Sequence, residues 1–276
     1  MKTKLIPVLW IFFFTLSLFI LGLIARQYIE PREIIISPQQ AEEIGNKIWQ
    51  NEGAGKAENL IVWNKGEDFP SLGIGHFIWF PAGVETRFKE SFPDLIRFIA
   101  KTRTIPRWLQ DQPFPPWQSH EDFHQNSHPD FNKKLRRFLQ DTTAEQTQFM
   151  VLRLQTALPK ILKTIKSGFS REAVRTNFYH VAMQTNGVYA LVDYVNFKGE
   201  GIAANEHYKN QGWGLLQVLE NMDRNPADTM QAFIKSADQR LTRRVANAPR
   251  DERRWLPGWR KRLKTYASTP SKPGSN

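Results

Sequence analysis

The sequence predicts a predominantly helical α+β fold in which one small β-hairpin lines a cleft. After an apolar N-terminal segment, about 250 residues remain, which is enough for one domain with a substantial core. Four amphipathic segments in this part carry helix-capping signals. Only residues 60–80 combine strand-forming residues with a turn signal. These observations favour helices packed around a single short hairpin.

The first predicted helix has the clearest boundaries. Ser37 is a suitable N-cap, Pro38 fits the first turn, and Gln40 completes a capping box. Gly53 provides a stop signal. Three further helices are predicted to begin at capping residues, namely Thr142, Ser170 and Asn225. Pro159 is expected to kink or end the first of these three, because proline lacks the backbone N–H.

The predicted hairpin has strands within residues 60–63 and 72–80, joined by a turn at 64–68. Residues 105–131 contain many prolines and are predicted to form a long irregular loop. This loop holds three histidines at four-residue spacing, His120, His124 and His128. Such spacing suits a metal site on a helix, but the prolines favour a solvated loop. The absence of cysteine excludes disulfides and thiolate metal sites, and no metal or cofactor is predicted.

The N-terminal segment predicts where the chain is located. Residues 5–25 are uncharged and long enough, at about 1.5 Å per residue, to cross a bilayer core of roughly 30 Å. Lys2 and Lys4 favour a cytoplasmic N-terminus. Residues 1–26 are therefore predicted to form a single-pass anchor in the inner (cytoplasmic) membrane, with the domain facing the periplasm or cell wall. A cleaved signal peptide is the alternative. The rest divides into a linker over 27–36, the folded domain over 37–267 and a disordered tail over 268–276.

The net charge of +11 is concentrated near the C-terminus. Residues 240–264 contain ten basic residues against Asp251 and Glu252, a local excess of eight. This excess indicates an anionic neighbour such as a lipid surface, an acidic glycan or a nucleic acid. Because an exported protein rarely meets nucleic acid, a membrane or cell-wall polymer is the expected partner. A basic, solvated helix face without a partner is the alternative.

The hairpin region also carries candidate catalytic carboxylates. Glu52 follows the first predicted helix, where unpaired carbonyls place partial negative charge. This position is expected to raise its pKa, particularly if Trp49 or Trp63 shields it from water, and so to suit a general acid. Glu67 and Asp68 lie in a more polar turn and are expected to stay ionised. Two carboxylates in contrasting environments are a recurring arrangement for cleaving a glycosidic bond.

The first predicted helix is followed by Glu-Gly at 52–53 and then by a hairpin that ends in SLGIGH at 71–76. This arrangement resembles the phage-type lysozymes of the lysozyme-like superfamily. It implies a lysozyme-like helical domain with Glu52 as the catalytic acid. It also implies that Ser71 replaces the family's hairpin threonine and that His76 is a structural hydrogen-bonding residue.

The sequence departs from this family at the second carboxylate. The family has an aspartate six residues before the threonine, and counting back from Ser71 reaches Lys65. Glu67 is therefore the expected substitute. Trp63 and Gly73 adjoin the motif and are predicted to bind substrate, the first through its aromatic ring and the second by letting the backbone approach a sugar closely.

A second segment resembles the lytic transglycosylases of the same superfamily. GWGLLQV, residues 212–218, is similar to their Gly-Leu-Met-Gln motif, which implies that Trp213 and Gln217 bind substrate. Their catalytic glutamate lies a short distance upstream, where this chain has Glu200. We expect Glu200 to line the opposite wall of the cleft, with an exposed turn as the alternative. Asn196 is expected to contact substrate, since Tyr-Val-Asn faintly resembles a sugar-binding pair of that family.

Together these features predict an exported, muramidase-like glycosidase. Its expected partner is the peptidoglycan glycan strand, cleaved at the β-1,4 bond between N-acetylmuramic acid and N-acetylglucosamine. Three carboxylates remain candidates for the second catalytic group, namely Glu67, Asp68 and Glu200. A lytic transglycosylase, a non-catalytic peptidoglycan-binding protein and an enzyme acting on chitin or chitosan are the alternatives.

Overall fold

The structure is a computed structural model that describes residues 33–84, 86, 88–223 and 225–267. It is predominantly helical with a few short strands, which confirms the predicted α+β fold class. Within these ranges the α-helices are α1 (Pro38–Gly53), α2 (Phe92–Ile99), α3 (Arg107–Gln110), α4 (His120–His124), α5 (Pro129–Asp141), α6 (Thr143–Thr164), α7 (Gly168–Ala182), α8 (Gly187–Lys198), α9 (Leu215–Asn221), α10 (Thr229–Asn247) and α11 (Leu256–Ala267). The strands are β1 (Ile61–Val62), β2 (Ser71–Leu72), β3 (Phe77–Ile78), β4 (His207–Tyr208) and β5 (Gln211–Gly212).

Helix α1 begins and ends where its local signals predict. The Ser37 hydroxyl accepts the Gln40 N–H at 3.2 Å, and the Gln40 side chain accepts the Ser37 N–H at 2.9 Å. Each bond satisfies a backbone donor that would otherwise have no partner. At the other end Ala54 is left-handed, with a φ of 52°. Helix α1 packs mainly on α6, and Gly45 permits the close approach, since a Cβ there would meet the Thr147 side chain.

The strands form two small antiparallel sheets. Sheet β1-β2-β3 aligns Ile61 with Leu72 and Ser71 with Ile78. The predicted hairpin therefore has a third strand, and each strand is shorter than expected. A separate hairpin pairs β4 with β5, where no strand was predicted. A 3₁₀ helix, Ala57–Leu60, connects α1 to the first sheet, and the last turn of the sheet places His76 beside Glu52 near the end of α1.

The proline-containing segments differ from the sequence-based predictions. Of the two effects predicted for Pro159, a kink or an end, the end is wrong, because helix α6 continues to Thr164. Residues 105–131 are not one irregular loop, because they contain α3 and α4. The Ser119 hydroxyl caps α4, and Trp117 is fully buried. Short capped helices thus fit between the prolines and contribute to the core.

Helix α8 brings the ends of the domain together. It is apolar on nearly all sides and buried, which is typical of a helix inside a core. Helices α1, α6, α7, α9 and α11 all pack against it. The C-terminal end of α1 and the middle of α11 therefore meet beside α8, although they lie far apart in the sequence.

The N-terminal boundary lies earlier than predicted. The Ile34 N–H donates to Gln155 Oε1 at 3.0 Å, and Ile34 and Ile36 pack against the core. The described end of the predicted linker, residues 33–36, thus includes residues of the folded unit. The predicted anchor and tail lie outside the described residues. Among the residues that are described, no helix is long and apolar enough to cross a membrane.

Candidate active site

A cleft of about 280 Å³ opens beside the C-terminal end of α1. Its walls come from four regions: Glu52 on α1, residues 75–78 at the last turn of the first sheet, the middle of α6, and residues 192–197 on α8. Lys89 and Ser91, before α2, close one edge. In the part of the chain that the structure describes, Glu52 is the one carboxylate that lines this cleft.

Glu52 is held by hydrogen bonds on one oxygen and lies near His76 with the other. Oε1 accepts hydrogen bonds from Arg262 Nη2 at 2.6 Å and from Asn196 Nδ2 at 3.3 Å. Oε2 lies 3.9 Å from His76 Nδ1. The side chain is only 16% exposed. Asn196 and His76, both predicted to belong to the site, thus reach the predicted acid, and Oε2 is the oxygen left for a ligand.

The electrostatic surroundings of Glu52 differ from the sequence-based prediction. Burial raises the pKa of its carboxyl, as expected. The charges of Arg262 and His76 and the hydrogen bonds to Oε1 lower this pKa, and together they outweigh burial. The pKa therefore lies below its ordinary value of 4.5, and the group is ionised at neutral pH. The prediction of a raised pKa is wrong, because it considered the helix end and the aromatic neighbours but not the distant guanidinium.

Arg262 is fixed by a second, fully buried acid. Its Nε and Nη2 atoms donate to Asp193 Oδ2 and Oδ1 at 2.7 and 2.8 Å, a bidentate pair. The Asp193 side chain is 0% exposed and also accepts the Tyr266 hydroxyl at 2.6 Å and Asn51 Nδ2 at 3.2 Å. Burial lowers the pKa of Arg262, but the two carboxylates raise it well above its ordinary value. Asp193 thus anchors the cation that contacts Glu52.

His76 faces the acid because of an unusual backbone conformation. It has a φ of 49°, in the left-handed region that non-glycine residues seldom adopt. Its N–H donates to the Gly73 carbonyl at 3.3 Å, which closes the turn between β2 and β3. The ring is about one third exposed and borders the cleft. The predicted role as a structural hydrogen-bonding residue thus becomes an electrostatic contact with Glu52.

The other predicted catalytic residues do not line the cleft. Glu67 lies in the turn between β1 and β2, where Oε2 accepts Asn64 Nδ2 at 3.1 Å. Its carbonyl accepts the Trp63 indole N–H at 2.7 Å, so Trp63 is buried under this turn instead of facing a ligand. Asp68 is exposed on the same turn. Ser71 is buried within β2, between its neighbouring strands.

Three of the residues predicted from the resemblance to lytic transglycosylases, Glu200, Trp213 and Gln217, make structural contacts outside the cleft. Glu200 forms an ion pair with Lys160 at 2.9 Å outside the cleft. Gln217 is buried and bridges two backbone segments, since Oε1 accepts the Gly214 N–H and Nε2 donates to the Gly201 carbonyl. Trp213 is 3% exposed, and the Arg244 guanidinium lies 4.2 Å from its ring centroid.

Gly73 similarly serves packing instead of binding a sugar. It has a φ of 70°, and a Cβ there would collide with the Gln146 side chain. Gln146 in turn accepts the Ile74 N–H at 2.9 Å, which ties the sheet to α6. The glycine therefore allows the sheet to approach the helix. Of the predicted substrate-binding residues, only His76 and Asn196 line the cleft.

Sequence reasoning missed the most important electrostatic partners. Arg262 was counted only as one of many basic residues near the C-terminus. Asp193 gave a usable signal, because it is the single acid in the apolar segment that became α8. A lone charge in a buried helix requires a partner of opposite charge. Lys89 and Arg153, which also line the cleft, gave no signal of their own.

Acids outside the basic segment at residues 240–264 partly neutralise it. Arg260 pairs with Asp238 at 2.7 Å, and Arg262 pairs with Asp193 at 2.7 Å. The charge available to an anionic partner is therefore smaller than the local excess indicates. Attraction to a membrane or cell-wall polymer stays a prediction.

The cleft suits proton transfer to or from a bound ligand. Glu52 has one oxygen fixed by Arg262 and Asn196, while the other faces His76 and the cleft. A carboxylate positioned in this way can exchange a proton with a ligand without losing its orientation. The described residues contain no group of three or more side chains placed to hold a metal ion. No family model, curated protein or solved structure matches the chain.

Proposed function

We propose that the protein is a peptidoglycan-cleaving glycosidase of the muramidase type, with Glu52 as its proton donor. The observation that carries the proposal is a mostly buried carboxylate at the wall of a cleft, held by three side chains. It lies at the position that the resemblance to phage-type lysozymes indicates. The bond cleaved is the β-1,4 bond between N-acetylmuramic acid and N-acetylglucosamine.

Glu52 must take up a proton before it can act, because it is ionised in the free protein. Arg262 and His76 oppose this step in the free protein, because their charges stabilise the ionised carboxylate. Arg262 stays paired with Asp193, so protonation leaves no buried cation without a partner. A glycan that displaces water from the cleft makes the negative charge more costly and so promotes proton uptake.

In the reaction Glu52 gives its proton to the glycosidic oxygen while the bond from that oxygen to the anomeric carbon breaks. Water then adds to the anomeric carbon and returns a proton to the carboxylate, which completes a hydrolysis. General acid catalysis of this kind contributes about 10²- to 10⁴-fold in rate.

Lytic transglycosylation is a second candidate that a specific observation favours. None of the three other candidate carboxylates, Glu67, Asp68 and Glu200, lines the cleft. In a transglycosylase a hydroxyl of the same sugar attacks the anomeric carbon and returns its proton to Glu52, so a single carboxylate is enough. The product is then an anhydro-sugar instead of a reducing end.

The test is digestion of purified cell wall by the full-length protein, with the released fragments resolved by mass. Reducing ends indicate hydrolysis, and anhydro-sugars indicate transglycosylation. We expect Glu52→Gln to lower the rate at least about 100-fold. Glu67→Gln, the matched control on the neighbouring turn, is expected to stay within about twofold of the wild type, since its side chain does not line the cleft.

Two outcomes would contradict the proposal. A Glu52→Gln variant that keeps the wild-type rate would show that this side chain is not the proton donor. Binding of cell wall by the wild type with no sugar released would show a non-catalytic peptidoglycan-binding protein.

A further inference from the structure

Two cations that line the cleft make no direct contact with an acid. Lys89 and Arg153 both border it, and both side chains are exposed. Among the described residues, neither forms a salt bridge or a side-chain hydrogen bond. Glu200 and Asp94 act on Arg153 only at longer range. Arg262, by contrast, pairs directly with Asp193 and Glu52. The hydrogen-bond donors of Lys89 and Arg153 can therefore meet a ligand.

The two cations converge from separate elements. Arg153 lies on α6, next to Leu154 and one turn after Met150, which line the same cleft. Lys89 lies in the segment between β3 and α2, two residues before Ser91. Because different parts of the fold supply Lys89 and Arg153, their position at the same cleft does not result from one basic helix face.

Binding of an uncharged sugar would not require the positive charges of Lys89 and Arg153. Protein sites commonly hold sugars through aromatic faces and neutral hydrogen-bonding groups. In the described structure Phe197 is, apart from the His76 imidazole, the one aromatic ring among the cleft-lining residues. A guanidinium and an ammonium group suit a carboxylate, which the guanidinium can bind through two parallel hydrogen bonds. The pair also disfavours a cationic glycan such as chitosan, because like charges repel.

We propose that Lys89 and Arg153 form an anion subsite that binds a carboxylate attached to the glycan in the cleft. This inference rests on the proposed function, because it assumes that a glycan strand occupies the cleft. In peptidoglycan such a carboxylate has two sources. One is the lactyl group of muramic acid once its peptide has been removed, and the other is the stem peptide itself. The subsite would thus select acidic glycan strands over neutral ones.

The experiment measures binding in the full-length Glu52→Gln background, so that no ligand is consumed. The probes are peptide-bearing glycan strands, peptide-free strands with free lactyl carboxylates, and neutral N-acetylglucosamine oligomers. We expect tighter binding of one or both acidic probes than of the neutral oligomer. Arg153→Met and Lys89→Met should each weaken binding of the acidic probe by about fivefold to tenfold and leave the neutral probe unchanged.

Arg107→Met is the matched control. Arg107 is exposed on α3 and lies away from the cleft, so its removal changes the net charge equally without touching the subsite. Tighter binding of peptide-free strands would identify the lactyl carboxylate as the group bound by the subsite. Tighter binding of peptide-bearing strands would identify the stem peptide. If all glycans bind but Arg153→Met and Lys89→Met both behave like Arg107→Met, the subsite is refuted and glycan binding stands. If no glycan binds at all, the proposed function fails together with the subsite.

Discussion

Replacing Arg262 by methionine tests whether the buried cluster holds α11 in place. Methionine keeps an unbranched apolar chain and removes only the guanidinium. Asp193, whose side chain is 0% exposed, would then keep the Tyr266 hydroxyl and Asn51 as hydrogen-bond donors but lose its counter-charge. Glu52, at 16% exposure, would lose its shortest hydrogen bond.

The size of the effect follows from this burial. Breaking a buried ion pair by removing one partner costs about 3–5 kcal/mol, because the other charge is left uncompensated. Arg260 on the same helix gives a matched comparison, since it pairs with Asp238 of α10 and the two side chains are 48% and 36% exposed. Such exposed pairs contribute roughly 0–1 kcal/mol. At about 2–4 °C per kcal/mol for a domain of this size, we expect Arg262→Met to lower the Tm by roughly 6–20 °C and Arg260→Met by at most about 4 °C.

Thermal unfolding of the two variants and the wild type at neutral pH measures this difference. Adding Asp193→Asn to Arg262→Met removes the stranded charge and is expected to recover part of the lost stability. If Arg262→Met unfolds at the same temperature as Arg260→Met, the buried ion pair does not stabilise the domain and the reasoning is wrong.

Two other predictions concern acid stability and backbone packing. The pKa of Glu52 is lowered in the folded state, so its contribution to stability is complete above its ordinary pKa of 4.5 and is lost as the pH falls through the lower, folded value. Urea unfolding between about pH 6 and pH 3 should therefore show a steeper loss for the wild type than for Glu52→Gln, and equal slopes would contradict this. Gly214→Ala should lower the free energy of unfolding by about 1–3 kcal/mol, because a Cβ there collides with the backbone of Gly201. Gly258→Ala on α11, where a Cβ meets nothing within 4 Å, is the control in the same assay, and equal effects would refute the packing argument.

Local sequence signals predicted the structural features that depend only on residues close together in the chain. The capping box at Ser37 and Gln40 is present because both partners lie within one turn. His76 was predicted from the motif that follows Glu52, and it reaches Glu52. Asn196 reaches Glu52 across 144 residues of chain, so a resemblance to a family and not short spacing predicted it.

Predictions failed where the fold decides which way a side chain points. Glu67 was assigned to the site on sequence proximity, but its turn folds over Trp63 and accepts the indole N–H. Gln217 was assigned to substrate, but it satisfies buried backbone groups of two segments. Arg262 was missed because nothing local to it or to Glu52 encodes their contact.

The partners in that contact are separated by 210 residues of chain. During synthesis the acid emerges long before its counterion, so a chain that stops short of α11 contains Glu52 without Arg262. Burial would then act on the acid with less opposition, and the acid would hold its proton more tightly than in the finished domain. The pKa of Glu52 is therefore coupled to the docking of α11, which supplies Arg262.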